Sequence, residues 1–264
     1  MSAIRVVVNG VMGKMGQAVS AGLAATPGLA VVGGADIAAK QPKMAIAGVE
    51  VPAATSIEAL LANVQADVLV DFSTAKATLP AVRAAAQRKV NFVVGTTGFD
   101  EAAVGEMRAL AEKHGVGGMV APNFALGAVL LMHLSQKAAP FFEYVEIIET
   151  HHETKIDAPS GTAAATARMI AQAKGKAFKR NVAEKETVAN TRGGFIDGVT
   201  IHSSRLPGKM AHQEVIFGIE GQTLSLRHDQ ISRDAFVPGI AMAVRHVVAH
   251  KGFVFGLDKL MGLS

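Results

Sequence analysis

The feature that most constrains the fold is an alternation, over the first half of the chain, of short apolar runs with segments of helical spacing. Five runs predict strands, at residues 4–8, 30–33, 68–72, 92–94 and 118–120. The segments between them predict helices, at residues 14–25, 57–64, 74–88 and 101–114. Such an alternation is typical of a parallel sheet with helices on both faces. The nearly continuous apolar character of the strands agrees, since a sheet covered on both sides has no solvated face.

The order of elements changes after residue 123. The pattern predicts a helix at 126–139, a strand at 144–149, a helix at 162–173, a polar loop or flap at 175–198, strands at 199–203, 214–219 and 223–228, and a helix at 234–249. Sequential strands joined by a tight turn favour an antiparallel or mixed sheet. We therefore predict an α/β protein of two domains with the substrate site between them. They are a Rossmann-like, doubly wound parallel sheet domain (1–125 plus 240–264) and a smaller α+β domain with a mixed sheet (126–239).

The composition excludes several other classes of protein. Of the 264 residues, 50% are hydrophobic, yet no apolar run reaches the roughly 18–20 residues of a membrane span. The absence of cysteine excludes disulfides and cysteine-ligated metal. The first residues lead directly into a strand pattern with no cleavable signal peptide before it, so we expect a cytoplasmic protein.

The net charge of +4 raises the question of a nucleic-acid partner. Chains that bind nucleic acid usually carry a dense basic stripe with aromatic residues for stacking. This chain has no tryptophan and one tyrosine, and glycine interrupts its densest basic run, residues 174–180. We interpret the run as a solvated helix end and loop. The expected partner is a small anion, with neither nucleic acid nor membrane.

A glycine-rich turn follows the first predicted strand, in the order Gly10, Val11, Met12, Gly13, Lys14, Met15, Gly16. Glycine lets a diphosphate approach the main chain, and the start of the following helix offers N–H groups and a partial positive charge. Asp36 ends the second strand, where an acidic residue bonds the ribose of a dinucleotide. The strand, turn and acid predict a dinucleotide site, with ordinary tight packing of the glycines as the alternative.

Asp36 also bears on the choice of cofactor. A carboxylate there accepts bonds from ribose hydroxyls and repels a 2′-phosphate. Ile37 follows it, so no arginine stands beside the acid for that phosphate, although Lys40 and Lys43 are near enough in sequence to compensate in part. The hypothesis is that NADH is preferred, or at least well used.

Two further loops follow the fourth and fifth predicted strands. They are Gly95-Thr96-Thr97-Gly98 and Ala121-Pro122-Asn123-Phe124. Ligands of open α/β sheets collect at the carboxyl ends of the strands, so we expect both loops to face a nicotinamide. Thr96, Thr97 and Asn123 offer hydroxyls and an amide, and plain turn chemistry is the alternative.

The segment most informative about chemistry is EIIETHHETKIDAPSGTA, residues 146–163. His151 and His152 leave a strand with side chains in different directions, so one can transfer a proton while the other lines the site. Lys155 suits a carboxylate partner and is a second candidate acid. Asp157 is interpreted as structural, through a cap or an ion pair with Lys155.

A helix start is predicted directly after this segment. Pro159 stands at or near the first helical position, and Ser160, Gly161 and Thr162 surround the cap. Their N–H groups and hydroxyls would hold a carboxylate as the glycine turn holds a diphosphate.

A metal site is the alternative use of the histidines. The candidate ligands are His151, His152, Glu153, His202 and His212, but their order lacks the spacing of the helical zinc signature HExxH. We therefore expect no metal. Residues 202–208 and 211–214 are predicted to be buried polar scaffolding beneath the site.

With both motifs identified, the chain resembles the 4-hydroxy-tetrahydrodipicolinate reductases of lysine and diaminopimelate biosynthesis. The resemblance spans the whole chain, through GVMGKMG, VDFS, GTTG, APNF, IETHHETKIDAPSGTA, IHSSRLPG, AHQEVIFG and HDQISRDAF. The departures are few. Ile37 stands where some members have arginine, and Ser204 and Gln213 replace residues that are often valine and histidine.

The resemblance implies reduction of 4-hydroxy-tetrahydrodipicolinate with NADH or NADPH by a homotetramer associated through the smaller domain's sheet. His151 would be the proton donor and Lys155 a second acid that also binds substrate. The small dicarboxylate substrate would be held by His152, Ser160, Gly161, Thr162 and Thr97. The cofactor would be held by Gly10, Val11, Met12, Gly13, Lys14, Met15, Asp36, Gly95, Thr96, Thr97, Ala121, Pro122, Asn123 and Phe124.

Two other interpretations stay open at this point. One is another Rossmann-type reductase of small amino-acid-like anions, such as an aspartate dehydrogenase, against which the DAPSGT turn argues. The other is a non-catalytic protein that senses the cofactor, against which the intact His151 and Lys155 argue. A substrate screen and an assay of NADH oxidation distinguish the three.

Overall fold

The computed structural model describes residues 2–180 and 185–263. The chain divides into two units, the first formed by Met1–Leu126 with Arg233–Ser264 and the second by Gly127–Ser232. Within the described part of the chain, no helix has both the length and the apolar composition needed to cross a membrane.

The first unit is built on one sheet of eight strands. Numbered along the chain, they are β1 (Ile4–Asn9), β2 (Leu29–Ala35), β3 (Lys43–Ile46), β4 (Val49–Ala54), β5 (Val68–Asp71), β6 (Asn91–Val94), β7 (Gly117–Val120) and β13 (Gly252–Phe255). Their spatial order is β13-β7-β6-β5-β1-β2-β4-β3. Strand β3 is antiparallel to β4, and every other neighbouring pair is parallel. The order runs outward in both directions from β1, so the predicted doubly wound sheet is confirmed.

The helices of this unit are α1 (Lys14–Ala24), α2 (Ile57–Leu60), α3 (Ala75–Gln87), α4 (Glu101–His114), α7 (Val237–Ala249) and α8 (Leu257–Leu260). Their bounds follow from local signals. Asp100 caps α4 by accepting a bond from the Ala103 N–H at 2.8 Å, and Gly115 ends the helix with a φ of +60°. All residues of β5, β6 and β7 are buried, which explains their continuous apolar sequence.

The described residues of the second unit form five strands and two α-helices. The strands are β8 (Tyr144–His151), β9 (Gly194–Ile196), β10 (Val199–Arg205), β11 (Ala211–Ile219) and β12 (Gln222–Gln230), in the order β12-β11-β8-β10-β9. Strands β8 and β10 are parallel and the other neighbours antiparallel, so the predicted mixed sheet is confirmed. The helices are α5 (Leu126–Ala138), continued by a 3-10 turn (Ala139–Phe141), and α6 (Gly161–Lys174), which connects β8 to β10.

Side chains of β8 alternate between the two faces of this sheet. Val145, Ile147 and Glu149 are buried, whereas Ile148 is exposed and Glu146 half-buried. The buried side chains lie on the face that packs against α6, because Ile147 shares a hydrophobic cluster with residues of that helix. We call this the helix face of the sheet and the other the open face.

Several elements differ from the prediction. The helix predicted at 57–64 is the four-residue α2, and the helix predicted at 234–249 begins as a 3-10 turn (Arg233–Phe236) before α7. Strands β3, β4 and β13 were not predicted, and β9 lies inside the predicted loop at 175–198, of which residues 181–184 lie outside the described residues. These strands are short and partly exposed, so pairing with neighbours defines them more than an apolar pattern does.

Candidate active site

The predicted phosphate-binding turn joins β1 to α1. Gly10 has a φ of +77°, and a Cβ on it would lie 2.6 Å from the carbonyl oxygen of Phe72. A Cβ on Gly16 would lie 2.0 Å from the carbonyl oxygen of Gly10. Close packing therefore requires both glycines, whatever they bind. Gly13 is the N-cap of α1 and has no side chain to cap it, so none from this position competes with an anion for the first N–H groups.

A cavity of about 610 Å³ lies beside this turn and is lined in part by Gly10, Gly13, Asp36, Ile37 and Lys76. The Asp36 carboxylate accepts bonds from the Met12 N–H at 3.1 Å and the Ala38 N–H at 2.9 Å. The acid is thus fixed at the end of β2, next to the turn. A cavity of this size, a helix start and an acid fit the diphosphate and ribose of a dinucleotide.

Asp71, at the end of β5, is fully buried and holds three strand ends together. Its Oδ2 accepts a bond from Asn9 Nδ2 at 2.6 Å. Its Oδ1 accepts from the hydroxyls of Thr78 at 2.7 Å and Thr96 at 2.6 Å, and Ser73 donates both its N–H and its hydroxyl. The last residue of β1 and the loops that follow β5 and β6 are therefore connected through one carboxylate. Sequence reasoning quoted the VDFS motif but assigned no role to this aspartate.

The two predicted nicotinamide loops follow β6 and β7 at the expected edge of the sheet. Thr96 is buried and its hydroxyl points into the unit, whereas Thr97 is exposed. The Asn123 side-chain oxygen accepts a bond from the Ala125 N–H at 2.9 Å, so a ligand bond from this residue has to come from its NH₂ group. The remaining predicted residues lie in the turn and the first turn of α1 (Val11, Met12, Lys14, Met15) or in these loops (Gly95, Ala121, Pro122, Phe124).

The histidine segment centres on a buried carboxylate that the sequence analysis missed. His151 is the last residue of β8, and its Nδ1 lies 2.5 Å from Oε2 of Glu149, whose side chain is 0% exposed. Arg205, the last residue of β10, donates to both oxygens of that carboxylate, at 3.0 and 2.9 Å. The Ser160 N–H points at the same carboxylate, 3.3 Å from Oε1. The imidazole, the guanidinium and the helix start therefore share one acceptor.

The surroundings lower the pKa of Glu149 to about 2. Burial alone would raise it, because a charged carboxylate is poorly solvated inside a protein. Hydrogen bonds from His151, Arg205 and Ser203 outweigh that effect. The carboxylate consequently stays ionised beside His151 throughout the neutral pH range.

Lys155 lies in the turn after β8, where its ammonium group bonds Oδ1 of Asp157 at 2.6 Å. This bond lowers the pKa of Asp157 from its usual range. Arg205 also donates to the main-chain oxygen of Asp157 at 2.6 Å, which attaches the turn to β10. Asp157 thus forms the predicted ion pair, and Lys155 is 21% exposed, within reach of a solvent-borne ligand.

Helix α6 begins where the sequence predicts. Ser160 is the N-cap, its hydroxyl accepting a bond from the Ala163 N–H at 3.1 Å. Gly161 is the first helical residue, with open space around the position of a Cβ, so Pro159 precedes the cap rather than opening the helix. His152 contacts the Thr154 hydroxyl at 2.8 Å and is directed differently from His151, as expected for strand neighbours. A helix start near the cationic side chains of Lys155 and Arg205 suits a carboxylate.

The sequence does contain a pattern from which the pairing of Glu149 with Arg205 could have been predicted. Glu149 occupies an inward position in the alternation Val145, Ile147, Glu149, where an apolar residue is the norm. A charge at such a position is rarely buried without a partner. Looking for that partner among the inward residues of neighbouring strands would have pointed to Arg205.

The prediction about the surroundings holds for some residues and is wrong for others. Residues 202–208 and 211–214 were expected to form buried polar scaffolding beneath the site, and Arg205 does bond Glu149 while Gln213 is buried on the same face. The histidines do not fit the prediction, because His202 pairs in register with Ile148 and His212 with Thr150, on the open face. His202 bonds Glu146 at 2.9 Å and is 28% exposed. Successive side chains of a strand point to alternate faces of the sheet. Counting in register from β8 therefore places these histidines on the face opposite to that of Glu149. Within the described ranges, 2–180 and 185–263, no three ligand side chains are arranged to hold a metal ion.

Comparison with known proteins covers the whole chain. The family model described as "Dihydrodipicolinate reductase, N-terminus" matches residues 4–124, and its C-terminal counterpart matches residues 127–261. Proteins named 4-hydroxy-tetrahydrodipicolinate reductase are 47% identical in Dehalococcoides mccartyi, over 100% of both chains, and 45% identical in Moorella thermoacetica, over 98% of both.

Solved structures agree with these matches. A dipicolinate-bound dihydrodipicolinate reductase from Paenisporosarcina sp. TG-14 superposes with a TM-score of 0.86 at 38% identity, over 97% of this chain and 99% of that one. An amine dehydrogenase from Mycobacterium smegmatis, at 17% identity and a TM-score of 0.65, shares the fold alone. The two family models match both halves of the sequence, and the matches to the named relatives extend over 98–100% of each chain. The chain therefore belongs to the dihydrodipicolinate reductase family.

Proposed function

We propose that this protein reduces 4-hydroxy-tetrahydrodipicolinate to tetrahydrodipicolinate, with release of water, at the expense of NADH or NADPH. The observation that carries the proposal is the shared carboxylate of Glu149. It connects His151, a proton donor, to Ser160, the start of an anion-binding helix. A dicarboxylate that needs a proton during reduction matches both parts of this arrangement. The relatives' names give the substrate class.

The cofactor is assigned to the first unit. The turn from Gly10 to Met15 would hold its diphosphate, Asp36 its adenosine ribose, and the loops Gly95–Thr97 and Ala121–Phe124 its nicotinamide. A reduced nicotinamide, when bound, supplies the hydride. Asp71 fixes the ends of three strands that carry these residues, so the site is rigid before a ligand arrives.

The second unit supplies the proton and the grip on the substrate. The Glu149 carboxylate is hydrogen-bonded to Nδ1 of His151, so Nε2 is the nitrogen that delivers a proton to the substrate. Electron density moves toward the imine end of the ring as hydride adds, and the cations of His151 and Lys155 stabilise it until the proton arrives. His152, Ser160, Gly161 and Thr162 are assigned to the two carboxylates, together with Thr97 of the first unit.

NADH is proposed as the preferred cofactor. Ile37 gives no cation beside Asp36, and Lys43, which was considered as a compensating cation, bonds Glu50 at 2.7 Å instead. Lys76 lines the cavity that contains Asp36, so it is the better candidate for tolerating a 2′-phosphate. Steady-state kinetics with both cofactors test this; a hundredfold better kcat/KM with NADPH would contradict it.

The proposal includes a cytoplasmic homotetramer. We assign cofactor binding to residues 1–125 plus 240–264, and substrate binding and association to residues 126–239. Ile148 and Phe195, on the open face of the second sheet, are 40% and 52% exposed in the single chain, which supports association through that face. Light scattering that gives the mass of a monomer would contradict this assembly.

The decisive experiment is a coupled assay. The substrate is generated by a dihydrodipicolinate synthase, and oxidation of NADH is followed by its near-ultraviolet absorbance. We expect turnover that pyridine-2,6-dicarboxylate inhibits. Intact NADH binding without turnover would favour a sensor, and turnover of aspartate in the reverse direction would favour an aspartate dehydrogenase; either result overturns the proposal.

A further inference from the structure

We propose that Glu149 and Arg205 are positioning residues, whose ion pair holds the proton donor His151 and the anion-binding start of α6 in one fixed geometry. The inference deepens the proposed function and rests on it for the identity of the substrate. Neither residue is assigned to proton transfer or to substrate contact. Their effect is exerted through His151, Ser160 and the turn that carries Lys155.

The first step of the argument is the number of donors on the carboxylate. Oε2 of Glu149 faces His151 Nδ1 at 2.5 Å and Arg205 Nη1 at 3.0 Å. Oε1 faces Arg205 Nη2 at 2.9 Å and the Ser160 N–H at 3.3 Å. Each oxygen thus accepts from at least two donors, which only a residue that is an acceptor at both atoms can do. An ionised carboxylate has that property and a carboxamide does not.

The second step concerns the imidazole. Because Glu149 is ionised and can only accept, the ring nitrogen facing it must carry a proton. Nδ1 of His151 is therefore the donor to Glu149, and Nε2 is the nitrogen left for exchange with a ligand. An acceptor held at one ring nitrogen fixes both the tautomer and the orientation of the ring. The lowered pKa of Glu149 is consistent with this, since the carboxylate keeps its charge at neutral pH.

The third step is the anchoring of Arg205 itself. Besides Glu149, its guanidinium donates to the main-chain oxygens of Ser204 and Asp157, both at 2.6 Å. The second of these bonds attaches the turn that contains Lys155 to β10. The charged side chains around the carboxylate are thus His151 from β8, Arg205 from β10, and Lys155 and Asp157 from the turn. Strand β11 contributes neutral Ala211 and Gln213 in register on the same face.

The test is Glu149→Gln, with Glu146→Gln as matched control. The carboxamide has the same shape, but its NH₂ group must face two donors whichever way it turns. We expect kcat to fall by about 10²-fold, since the donor is misplaced. We also expect KM for substrate to rise roughly fivefold because the α6 start loses its acceptor, and NADH affinity to stay within about twofold. Glu146→Gln removes the same type of carboxylate–histidine–arginine contact from the open face and should leave kcat unchanged.

A spectroscopic readout separates positioning from general structure. In protein labelled with ¹⁵N-histidine and free of ligands, the His151 signal is identified by its absence in His151→Ala. We expect a proton on Nδ1 in the wild type and a mixture of both tautomers in Glu149→Gln, with unchanged signals from His202. This measurement needs no substrate, so it is independent of whether the proposed reaction is correct.

Arg205→Lys covers the case in which Glu149→Gln does not fold. Lysine keeps the charge but cannot bond both carboxylate oxygens and two main-chain oxygens, so we expect kcat to fall roughly tenfold with native circular dichroism. The inference is overturned if the His151 tautomer is unchanged in both variants, or if Glu146→Gln lowers kcat as much as Glu149→Gln. Failure of the proposed function would look different: wild-type protein with an ordered His151 and no turnover.

Discussion

Strand β8 provides the carboxylate of two side-chain clusters of the same chemical composition, one on each face of the second sheet. The inner group is Glu149 with His151 and Arg205, and the outer group is Glu146 with His202 and Arg192. Each combines a carboxylate, an imidazole and a guanidinium at hydrogen-bonding distance. A list of residue types cannot tell them apart, but the inner carboxylate also accepts from the N–H of Ser160, the N-cap of α6.

Burial is the first difference between them. The Glu149 side chain is 0% exposed and that of Glu146 is 37% exposed. For both, burial opposes ionisation and hydrogen bonds from the histidine and arginine more than offset it, so both pKa values are lowered. The buried inner group lies in surroundings of lower dielectric constant, where each hydrogen bond is stronger and an unpaired charge is more destabilising. In the single chain the outer group is closer to a surface ion pair, of which little stability is expected.

Connectivity is the second difference. Arg205 bonds both oxygens of Glu149 and two main-chain oxygens, whereas Arg192 bonds one oxygen of Glu146. The inner group therefore fixes the relative position of three segments. The comparison teaches that a site is defined by the face and the strand end, and only then by residue type.

The largest expected effect separates the two histidines. His151→Ala should lower kcat by about 10²–10⁴-fold, the usual contribution of a positioned proton donor, while NADH still binds. His202→Ala, the matched change in the outer group, should keep kcat within about twofold. Steady-state oxidation of NADH and fluorescence titration of NADH measure both effects. Near-normal turnover in His151→Ala would break the comparison.

A second experiment asks whether Lys155 belongs functionally with the inner group. On the proposed mechanism, Lys155→Ala should lower kcat by about 10²-fold, because it would remove a cation from the developing charge and a contact to substrate. Lys179 is the control, since it forms a similar pair with Glu143, at 2.6 Å, in the same unit. Lys179→Ala should retain full activity in the same assay. Equal losses in the two variants would show a general effect of charge.

The smallest expected effect is on acid stability. The pKa of Glu149 is lowered from 4.5 to about 2, so its contribution is complete above about pH 4.5 and is lost as the pH falls toward 2. The full shift would correspond to about 3 kcal/mol, of which we expect about 1–2 kcal/mol to be measurable after relaxation. Urea unfolding between pH 6 and pH 2.5 should show this decline in wild type and in Glu146→Gln.

In Glu149→Gln the free energy of unfolding should be lower at neutral pH, and its further decline below pH 4.5 should be shallower. The sign follows from the lowered pKa: the unfolded chain binds this proton at a higher pH than the folded chain does. Parallel curves for Glu149→Gln and wild type would show that the inner carboxylate contributes nothing special to acid unfolding.

Much of the fold could be predicted because its signals are local. Continuous apolar runs predicted β5 to β7, and helix formers at helical spacing predicted α4 with the bounds that the structure has. The short strands β3, β9 and β13 could not be predicted in the same way. Their residues are partly exposed, and hydrogen bonds to neighbouring strands are what make them strands.

The candidate site also has two parts: residues that are neighbours in sequence, and residues that only strand pairing brings together. The residues of the two motifs could be proposed from the sequence because strand, turn and helix start are contiguous in it. The order Glu149, His151, Lys155, Ser160 is one such stretch, and it forms one locality in the structure. Arg205 lies 56 positions from Glu149, and only the parallel pairing of β10 with β8 brings the two together. The misplaced expectation for His202 has the same origin, because register decides the face.

The sequence by itself determined the fold class, the glycine turn, the histidine segment and the family, since each is written in consecutive residues or in a repeating apolar pattern. The tertiary structure alone decided which carboxylates hold the site together. Asp71 accepts bonds from the amide of Asn9 and the hydroxyls of Thr78 and Thr96, and Glu149 accepts bonds from the guanidinium of Arg205 on another strand. A buried charge is stable only among donors that folding brings to it, so its partners are set by strand order and register rather than by proximity in sequence.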